Sequence, residues 1–344
     1  MPNSLRLGVH LNSAAMANTT ARTLGQLQDY WSRAIIGKPE ALQFALICLL
    51  CRGHLLLEDV PGLGKTTLAK VVSKSMALSF KRLQCTPDLL PADITGISIF
   101  DQKDQAFRFI PGPIFSNILL ADEINRTSPR TQSALLEAMA EQTVTVDRKT
   151  RPLPKTFMVI ATQNPIEFSG TYPLPEAQLD RFFMRISLGY PSLKDESRIM
   201  TINQKTDPSA VISPVLKEDR LLNLQEAVKH VKIDAKIMQY IASLVQATRA
   251  HRELRLGASP RGSIALMKAG QALAMIEGSD FVTAQMIQRL VKPVLAHRML
   301  PRGGNDNLDA VLQEILKIIP VPAMPAHLKS SVSHPVGPTP TEPN

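Results

Sequence analysis

One short segment of the chain has the residue types and spacing needed to bind a phosphate chain. The stretch DVPGLGKTT follows an apolar run and precedes a helical pattern, which is the setting that phosphate loops require. Its glycines let backbone N–H groups turn toward phosphate oxygens, and a helix N-terminus adds partial positive charge. Lys65 would supply a point charge for the β and γ oxygens, and Thr66 a hydroxyl for Mg²⁺. The nucleotide-contacting candidates of this loop are Pro61, Gly62, Leu63, Gly64, Lys65, Thr66 and Thr67.

Asp59 departs from the loop pattern G-x-x-x-x-G-K-[ST], which has glycine at this position. A carboxylate that faced a triphosphate would be repelled by it. Position 59, however, is where the chain leaves the strand, before the inward-facing amides begin, so the side chain can point away. We therefore expect the loop to bind ATP and Asp59→Gly to change nucleotide affinity little.

An acidic pair ends a second apolar run, NILLADE. In phosphate-loop ATPases the aspartate at this place orients Mg²⁺ through water, and the following glutamate polarises the attacking water. A strand ending in Asp-Glu is common, but its place after a phosphate loop makes the pair specific. Asp122 is therefore the predicted metal-side residue and Glu123 the predicted catalytic base, which favours hydrolysis as well as binding.

A third apolar run, VIATQNP, contains Asn164, which could hold the attacking water against the γ-phosphate. Taken alone, an asparagine before proline is as often an ordinary turn residue. The three segments would all lie at the carboxyl ends of parallel strands, where open α/β sheets bind ligands.

The elements that position these residues alternate between short apolar runs and helical patterns from Leu24 to about Leu188. Apolar runs without period-2 alternation, separated by helices, predict a doubly wound α/β domain with a parallel sheet. Leu221 to Met299 has a helical period almost throughout, which predicts a smaller, all-helical domain. The predicted divisions are a disordered N-terminus over 1–20, a nucleotide-binding α/β domain over 21–192, a linker and helical lid over 193–319, and a disordered Pro-rich tail over 320–344.

Two inserts interrupt the α/β scheme, and each predicts a hairpin. ITGISIF and AFRFIPGPIF flank the polar turn DQKDQ, and TVTVDRK leads through RPLP to the next strand. Hairpins that project from a parallel sheet are candidate contact loops. Phe107 and Phe109 are candidate apolar tips of the first hairpin, although both rings could equally be buried.

Composition narrows the function classes. Hydrophobic residues at 44% and charged residues at 20% are ordinary for a soluble protein. A formal net charge of +9 permits an anionic partner, but the Lys and Arg residues are scattered, which favours a solvated basic surface. Three cysteines predict no disulfide framework, and Cys48 and Cys51 lack the second pair that a zinc site needs. We expect two buried helical thiols there.

The sequence contains no apolar run long enough to span a membrane and no N-terminal signal-peptide core. We therefore expect a cytoplasmic protein. Either Met1 or Met16 could be the start of the chain.

With these motifs in order, the chain resembles the MoxR family of AAA+ ATPases over roughly residues 23–299. The strings that carry the resemblance are DVPGLGKTT, LLADEINRTSPRTQSALLEAM, ATQNP, YPLPEAQLDRF and SPRGS. It implies a five-stranded parallel AAA+ domain with a helical lid, ATP and Mg²⁺ as ligands, and a homo-oligomeric ring, usually of six subunits. It also implies chaperone-like remodelling or maturation of metalloenzymes or other complexes, typically with a partner that carries a von Willebrand factor A domain.

The resemblance assigns roles to three polar residues. Asn164 matches the sensor-1 position, Arg181 in LDRF matches an arginine finger that reaches a neighbouring subunit's γ-phosphate, and Arg261 in SPRGS matches the sensor-2 arginine of the lid. An arginine finger stabilises charge on the γ-phosphoryl oxygens and couples turnover to assembly. The alternative for Arg181 is a structural salt bridge at a helix end, and for Arg261 a helix-cap or surface arginine.

Two further matches concern the base and the catalytic glutamate. Ile36 and Gly37, in IIGKPEAL, match the segment that lies against the adenine. Gln84, in RLQCT, sits where related proteins place a polar residue that can restrain the glutamate.

Two other function classes remain open. A nucleic-acid-stimulated motor would suit the positive charge and the hairpins, but the chain shows no basic cluster with interleaved aromatics, and its aromatic content is 5%. A nucleotide-dependent assembly switch would use the same phosphate site with little turnover.

Overall fold

The computed structural model describes residues 19–164, 171–204, 212–302 and 307–323. A five-stranded parallel sheet with the order β2-β5-β8-β1-β9 lies between helices, and a bundle of helices follows it. The predicted fold class, an α/β domain followed by a smaller helical lid, is confirmed. The strands in chain order are β1 (Leu55–Glu58), β2 (Phe80–Gln84), β3 (Gly96–Asp101), β4 (Ala106–Pro111), β5 (Ile118–Asp122), β6 (Thr143–Val146), β7 (Lys149–Pro152), β8 (Met158–Gln163), β9 (Met184–Ile186), β10 (Leu254–Leu256) and β11 (Leu300–Pro301).

Helices cover both faces of the sheet and build the lid. They are α1 (19–32), α2 (Pro39–Leu50), α3 (Lys65–Ser75), α4 (Pro91–Thr95), α5 (Pro129–Glu141), α6 (Glu176–Leu179), α7 (Leu193–Asn203), α8 (Glu218–Val228), α9 (Ala235–Ala250), α10 (Pro260–Ile276), α11 (Ala284–Leu295) and α12 (Leu308–Ile318). The lid also contains the short antiparallel pair β10–β11, a feature that the helical period did not predict.

Several helices begin where the sequence places a capping residue. Ser128 precedes α5 and its Oγ accepts a hydrogen bond from the Thr131 N–H, while Pro129 occupies the first helical position. Ser259 and Pro260 repeat this arrangement at the start of α10. A capping oxygen satisfies an N–H group that the helix leaves unpaired, and proline has no N–H to lose there.

Strands β1, β5 and β8 are buried on both faces, which explains their unbroken apolar runs, whereas edge strand β2 exposes Lys81 and Arg82. Leu55 and Leu57 of β1 belong to one core cluster, whereas Leu56 belongs to the other, because successive side chains of a strand point to opposite faces. The cluster that contains Leu55 continues through α2 and α3 into lid helices α8 to α11.

Helix α2 joins the sheet to the lid. Nine of its twelve residues are buried, as expected of a helix that is apolar on every side. The Gln225 Nε2 of α8 donates to the Leu49 carbonyl at 2.7 Å, and Cys51 Sγ donates to the Lys268 carbonyl of α10 at 3.4 Å. The lid is therefore packed on the nucleotide-binding domain through a shared core.

The cysteines of α2 and its C-terminal cap are free thiols inside this packing. Burial raises the pKa of Cys48 well above its ordinary value and raises the pKa of Cys51 to about 12. Both thiols therefore stay protonated at neutral pH. Cys48 is buried within the helix as expected, whereas Cys51 is partly buried and lies at the C-cap.

Both predicted hairpins are present, as the antiparallel pairs β3–β4 and β6–β7. Phe107 on β4 is 76% exposed and stacks edge-on against Phe100. Phe109 differs from the expectation of an apolar tip, because the Arg151 guanidinium covers its ring at 3.8 Å and Phe115 packs against its edge.

The segments predicted to be disordered at the two ends fall largely outside the described residues, which begin at 19 and stop at 323. Residues 19 and 20 are already helical, so regular structure begins inside the segment expected to lack it. Among the helices in the described part of the chain, none combines the length and the apolar character needed to cross a bilayer.

His54, directly before β1, forms hydrogen bonds to β8 and to α5. Its Nδ1 accepts a hydrogen bond from the Val159 N–H at 2.9 Å, and its Nε2 lies 3.1 Å from the Met139 carbonyl. The ring therefore serves as a neutral imidazole that accepts through Nδ1 and donates through Nε2. Burial lowers the pKa of His54 to about 4.

The low pKa of His54 predicts a loss of stability in mild acid. Between the unfolded pKa of about 6.5 and the folded pKa of about 4, the unfolded chain binds the proton and the folded chain does not. The free energy of unfolding therefore falls as the pH drops, by about 2 kcal/mol from this group between pH 7 and pH 5. Urea denaturation at several pH values should show this loss, and it should shrink in His54→Gln, whose amide can both accept and donate. Equal pH dependence in the two proteins would contradict the assignment.

Candidate active site

Because the five strands are parallel, their carboxyl ends lie along the same side of the sheet. This carboxyl-terminal side is called the sheet edge below. In the register of β1 with β8, Glu58 lies beside Gln163, and in that of β2 with β5, Gln84 lies beside Asp122. Strand β8 lies between β1 and β5. The phosphate loop, the segment at Asn164 and the acidic pair therefore follow three adjacent strands and face the same edge.

The phosphate loop has the backbone that its glycines predict. Gly62 and Gly64 have φ angles of +86° and +89°, in the left-handed region that L-residues avoid, and the space around both Cα atoms is open. Gly64 is the N-cap of α3 and provides no side chain that could occupy the helix N-terminus. Pro61 and Gly62 are exposed, so the loop can be reached by a ligand.

Lys65 and Thr66 occupy the first turn of α3, directly after this loop, and Thr67 follows them. The Lys65 side chain is 8% exposed and its Nζ donates to the Asp59 carbonyl at 2.7 Å. The ammonium group is thus folded back over the loop rather than extended into solvent. Thr66 and Thr67 are partly exposed.

The carboxylate of Asp59 points away from the loop that follows it. It accepts hydrogen bonds from Ser187 Oγ at 2.5 Å, from the Leu188 N–H at 2.6 Å and from the Gly189 N–H at 3.0 Å. These groups directly follow β9, the outermost strand of the sheet next to β1. The expected orientation is therefore observed, and Asp59 also fixes the start of the loop to the chain after β9.

Asp122 ends β5 and is almost fully enclosed. Its Oδ1 accepts a hydrogen bond from Thr162 Oγ1 at 2.7 Å. Its Oδ2 accepts from Arg82 of β2, at 2.6 Å from Nη2 and 3.1 Å from Nε. Both carboxylate oxygens therefore have partners, and the one on the β2 side is held by a guanidinium.

Glu123 has an unusual backbone and a restrained side chain. Its φ of +60° is left-handed, which is uncommon for a residue with a side chain, and its N–H donates to Thr162 Oγ1 at 2.8 Å. Its Oε2 accepts from Gln84 Nε2 at 3.1 Å and from Arg126 Nη1 at 2.9 Å. The predicted contact with Gln84 is thus present, and Arg126 adds a second one.

Asn164 follows β8 and is 5% exposed. Its strand lies between the strand of the phosphate loop and the strand of the acidic pair, so the structure brings it to the predicted edge. The role of Asn164, as a holder of the attacking water or as an ordinary turn residue before proline, stays a prediction.

Arg181 and Arg261, the two predicted arginines, contact groups other than the acidic pair. Arg181 Nη1 donates to the Leu136 carbonyl of α5 at 2.8 Å. Arg261, in the first turn of α10, is largely exposed, with its Nη1 3.9 Å from Asp180 Oδ2. Neither guanidinium pairs with Asp122 or Glu123 within this chain.

The predicted adenine segment packs against the start of α7. Ile36 is buried, and Gly37 has a φ of +72°. A Cβ on Gly37 would lie 2.4 Å from Asp195 Oδ2, so a larger residue there would displace the Asp195 side chain as well as adopt a left-handed backbone. Lys38 Nζ donates to the Tyr190 carbonyl at 2.7 Å.

The residues at the sheet edge fit a magnesium ion. Mg²⁺ prefers oxygen ligands and is usually held by one or two carboxylates together with water and substrate phosphates. Thr66 and Asp122 offer a hydroxyl and a carboxylate at this edge. Within the described ranges no group of three or more His, Cys, Asp or Glu side chains could hold a metal, and a magnesium site of this kind needs no such group.

Three residues of the site were not predicted from the sequence. They are Arg82, Arg126 and Thr162. Thr162 lies two residues before Asn164, and Arg82 lies two residues before Gln84, so the period of 2 in a strand could have placed each beside a residue already identified. The partners of Arg82 and Thr162, in contrast, lie on or directly after a neighbouring strand, β5, whereas Arg126 is three residues from its partner Glu123.

The chain is similar to known proteins over most of its length. Residues 54–184 match the model of the ATPase family associated with various cellular activities (AAA), and residues 246–315 match the AAA lid domain. The chain is 37% identical to Chaperone MoxR1 of Mycobacterium tuberculosis, over 91% of this chain and 85% of that protein. It is 48% identical to the uncharacterised YeaC of Bacillus subtilis, over 87% and 95%. A crystal structure from Cytophaga hutchinsonii superposes with a TM-score of 0.84 at 34% identity, over 91% and 99%.

The pairing of Arg82 with Asp122 predicts competition with Mg²⁺. Replacing Arg82 by glutamine should lower the Mg²⁺ concentration needed for half-maximal binding of labelled ATP by about threefold, because a partly exposed ion pair contributes at most about 1 kcal/mol. Lys81→Gln removes a charge from the same strand on its other face and is the matched control. An unchanged Mg²⁺ requirement in Arg82→Gln would contradict the prediction.

Proposed function

Because the chain belongs to the MoxR family of AAA+ ATPases, we propose that it binds ATP with Mg²⁺ at the edge of its sheet and hydrolyses the γ-phosphate. One observation carries this proposal. The hydroxyl of Thr162, on the strand between the phosphate loop and the acidic pair, accepts from the Glu123 N–H and donates to Asp122. A single side chain thus holds the metal-side aspartate and the catalytic glutamate in one position relative to the loop.

Different residues would bind the phosphates, hold the metal and activate the attacking water. The backbone of residues 61–64 and the N-terminus of α3 would hold phosphate oxygens, with Lys65 at the β and γ positions. Thr66 and Asp122 would hold Mg²⁺, which, when bound, neutralises charge on the phosphate oxygens. Glu123 would polarise the attacking water, and Asn164 would orient it. Ile36 and Gly37 would lie against the base.

The hydrogen bonds on Glu123 suggest a resting arrangement. Gln84 of β2 and Arg126 both donate to Oε2 of this carboxylate, so that oxygen is engaged by protein groups and not by a water. Release from these partners would activate the glutamate. The same restraint favours, as a second candidate, a nucleotide-dependent assembly switch with low intrinsic turnover.

The arginines would act at the borders of the nucleotide site. Arg181 would reach the γ-phosphate of a neighbouring subunit in a homo-oligomeric, hexameric ring, and Arg261 would contact the nucleotide from the lid. Exposure of Arg261 leaves its guanidinium able to move toward a ligand. The assembly and both roles are proposals that rest on the family.

The cellular role we propose is chaperone-like remodelling or maturation of protein complexes or metalloenzymes in the cytoplasm, with a partner that carries a von Willebrand factor A domain. Its support is membership of a family whose relative in Mycobacterium tuberculosis is named a chaperone. The exposed apolar face of the β3–β4 hairpin, with Phe100 and Phe107 at 53% and 76% exposure, is a surface that could contact a protein client.

The first test concerns the catalytic base. Glu123→Gln should bind ATP with near-normal affinity and hydrolyse it about 10²–10⁴-fold more slowly, because the amide cannot accept a proton from water. Phosphate release and nucleotide binding would be measured side by side. Glu141→Gln, at the exposed end of α5, is the control. Undiminished turnover in Glu123→Gln would remove this residue from the mechanism.

The second test concerns the interface. Arg181→Ala should leave ATP binding near normal while hydrolysis falls by about 10³-fold, the usual scale of an arginine finger. Arg252→Ala changes an exposed arginine of the lid and should leave both quantities unchanged. Full activity of the unmodified protein as a dilute monomer would show that the arginine does not act between subunits.

A further inference from the structure

The chain around Arg181 is attached to the lid on both sides of that residue. Arg181 lies just after α6, between Asp180 and Phe182. Asp180 and the carbonyl groups of Phe182 and Phe183 all contact lid residues. The segment that carries the proposed finger is therefore attached to the lid as well as to the domain that holds the phosphate loop, where the Phe183 N–H donates to the His54 carbonyl.

Asp180 receives the lid's contacts through both carboxylate oxygens. Its Oδ1 accepts from Arg298 Nε at 2.8 Å, and its Oδ2 accepts from Ser259 Oγ at 3.0 Å. Arg261 Nη1 lies 3.9 Å from the same Oδ2. Ser259 is also the N-cap of α10, where its Oγ accepts from the Arg261 N–H. Asp180 thus contacts the residue that starts the lid helix carrying Arg261.

Arg298 makes this attachment strong. Its side chain is 3% exposed and lies beside an Asp180 side chain that is 16% exposed. Nη2 donates to the Phe182 carbonyl at 2.7 Å and Nη1 to the Phe183 carbonyl at 3.3 Å, while Nη1 also donates to the Val294 carbonyl. A buried guanidinium that lost its carboxylate would be left as an uncompensated charge, so this pair resists separation.

The Arg181 side chain points toward the α/β domain and not toward the lid. Its guanidinium donates to the Leu136 carbonyl of α5, in the nucleotide-binding domain. The backbone at 180–183 therefore lies between the two domains. Asp180 and the carbonyl groups at 182 and 183 contact the lid, while the Phe183 N–H donates to the His54 carbonyl at 2.8 Å and the Arg181 side chain rests on α5. A change in the angle between lid and α/β domain would alter the position of this guanidinium.

We propose that Asp180 is a positioning residue that ties the arginine finger to the lid of its own subunit. Through Ser259 and Arg298, the lid orientation set by one subunit's nucleotide determines where Arg181 stands against the next subunit's γ-phosphate. This inference rests on the proposed finger role of Arg181. Through the contact of Asp180 with the lid, nucleotide binding in one subunit would control ATP hydrolysis in the next subunit.

The experiment measures the effect of a subunit on its neighbours. Unmodified subunits are mixed with an excess of subunits that carry Glu123→Gln, alone or together with Asp180→Asn or Arg181→Ala, and turnover is measured per unmodified subunit. The added subunits hydrolyse ATP about 10²–10⁴-fold more slowly than unmodified ones, so the measured turnover comes from the unmodified subunits. All added subunits share Glu123→Gln, so a difference between them reports the finger segment that each presents. Glu277→Gln on the Glu123→Gln background removes an ion pair internal to the lid, with Arg289, and is the matched control.

We expect the Asp180→Asn dopant to lower turnover by the same factor as the Arg181→Ala dopant, about tenfold or more relative to Glu123→Gln alone. The Glu277→Gln dopant should equal Glu123→Gln alone. If Arg181→Ala lowers the rate and Asp180→Asn does not, the proposed function stands and the coupling through Asp180 is wrong. If Arg181→Ala also has no effect, the finger role itself fails, and the inference fails with it.

A second variant covers the case in which Asp180→Asn does not fold, because it leaves Arg298 buried without its charge partner. Asp180→Asn combined with Arg298→Met removes both charges and so avoids that cost. Thermal unfolding and ATP affinity are measured first, and both should stay near those of the unmodified protein. The same loss of turnover is expected in the mixture, and normal turnover would overturn the proposal.

Discussion

The parallel pairing of β8 between β1 and β5 is the constraint on which the site depends. Parallel strands align their carboxyl ends, so the loop after β1, the segment after β8 and the acidic pair at the end of β5 meet at one edge. Thr162 of β8 then links this strand to the acidic pair, because its hydroxyl donates to Asp122 and accepts from the Glu123 N–H. Without the central strand, the loop and the acids would be separate local patterns.

Burial of β1, β5 and β8 on both faces makes this register stable. Strands whose residues are apolar on each side cannot slip by one residue without moving side chains to the opposite core. The two core clusters divide the residues of β1 between them. One cluster extends through α2 into the lid, so the packing that orders the nucleotide edge also orients the helices above it.

Polar contacts add a second level of control to this frame. Arg82, Gln84 and Arg126 hold the acidic pair on one side of the edge, and Asp180 with Arg298 holds the segment of Arg181 against the lid. In the function we propose, the first group sets the resting state of a subunit, and the second transmits its state to a neighbour. Both use charges that are enclosed or partly enclosed, where electrostatic interactions are stronger than in water.

Local patterns in the sequence determined the fold class and the main chemical groups. Gly62, Gly64, Lys65 and the pair at 122 and 123 could be identified because a phosphate loop and an acidic strand end are contiguous, and each type of element has its own period. The left-handed backbone at both glycines agrees with that reading. The orientation of Asp59 away from the loop also followed from its position along the chain.

The tertiary structure alone decided which distant side chains became partners. Nothing in the order of residues pairs Arg82 with Asp122, which is 40 positions away, or Arg298 with Asp180, which is 118 positions away. Phe109 was covered by Arg151 for the same reason. A periodic pattern reports the face on which a residue lies, whereas a hydrogen bond between distant segments depends on strand order, register and helix packing, which exist only after the chain has folded.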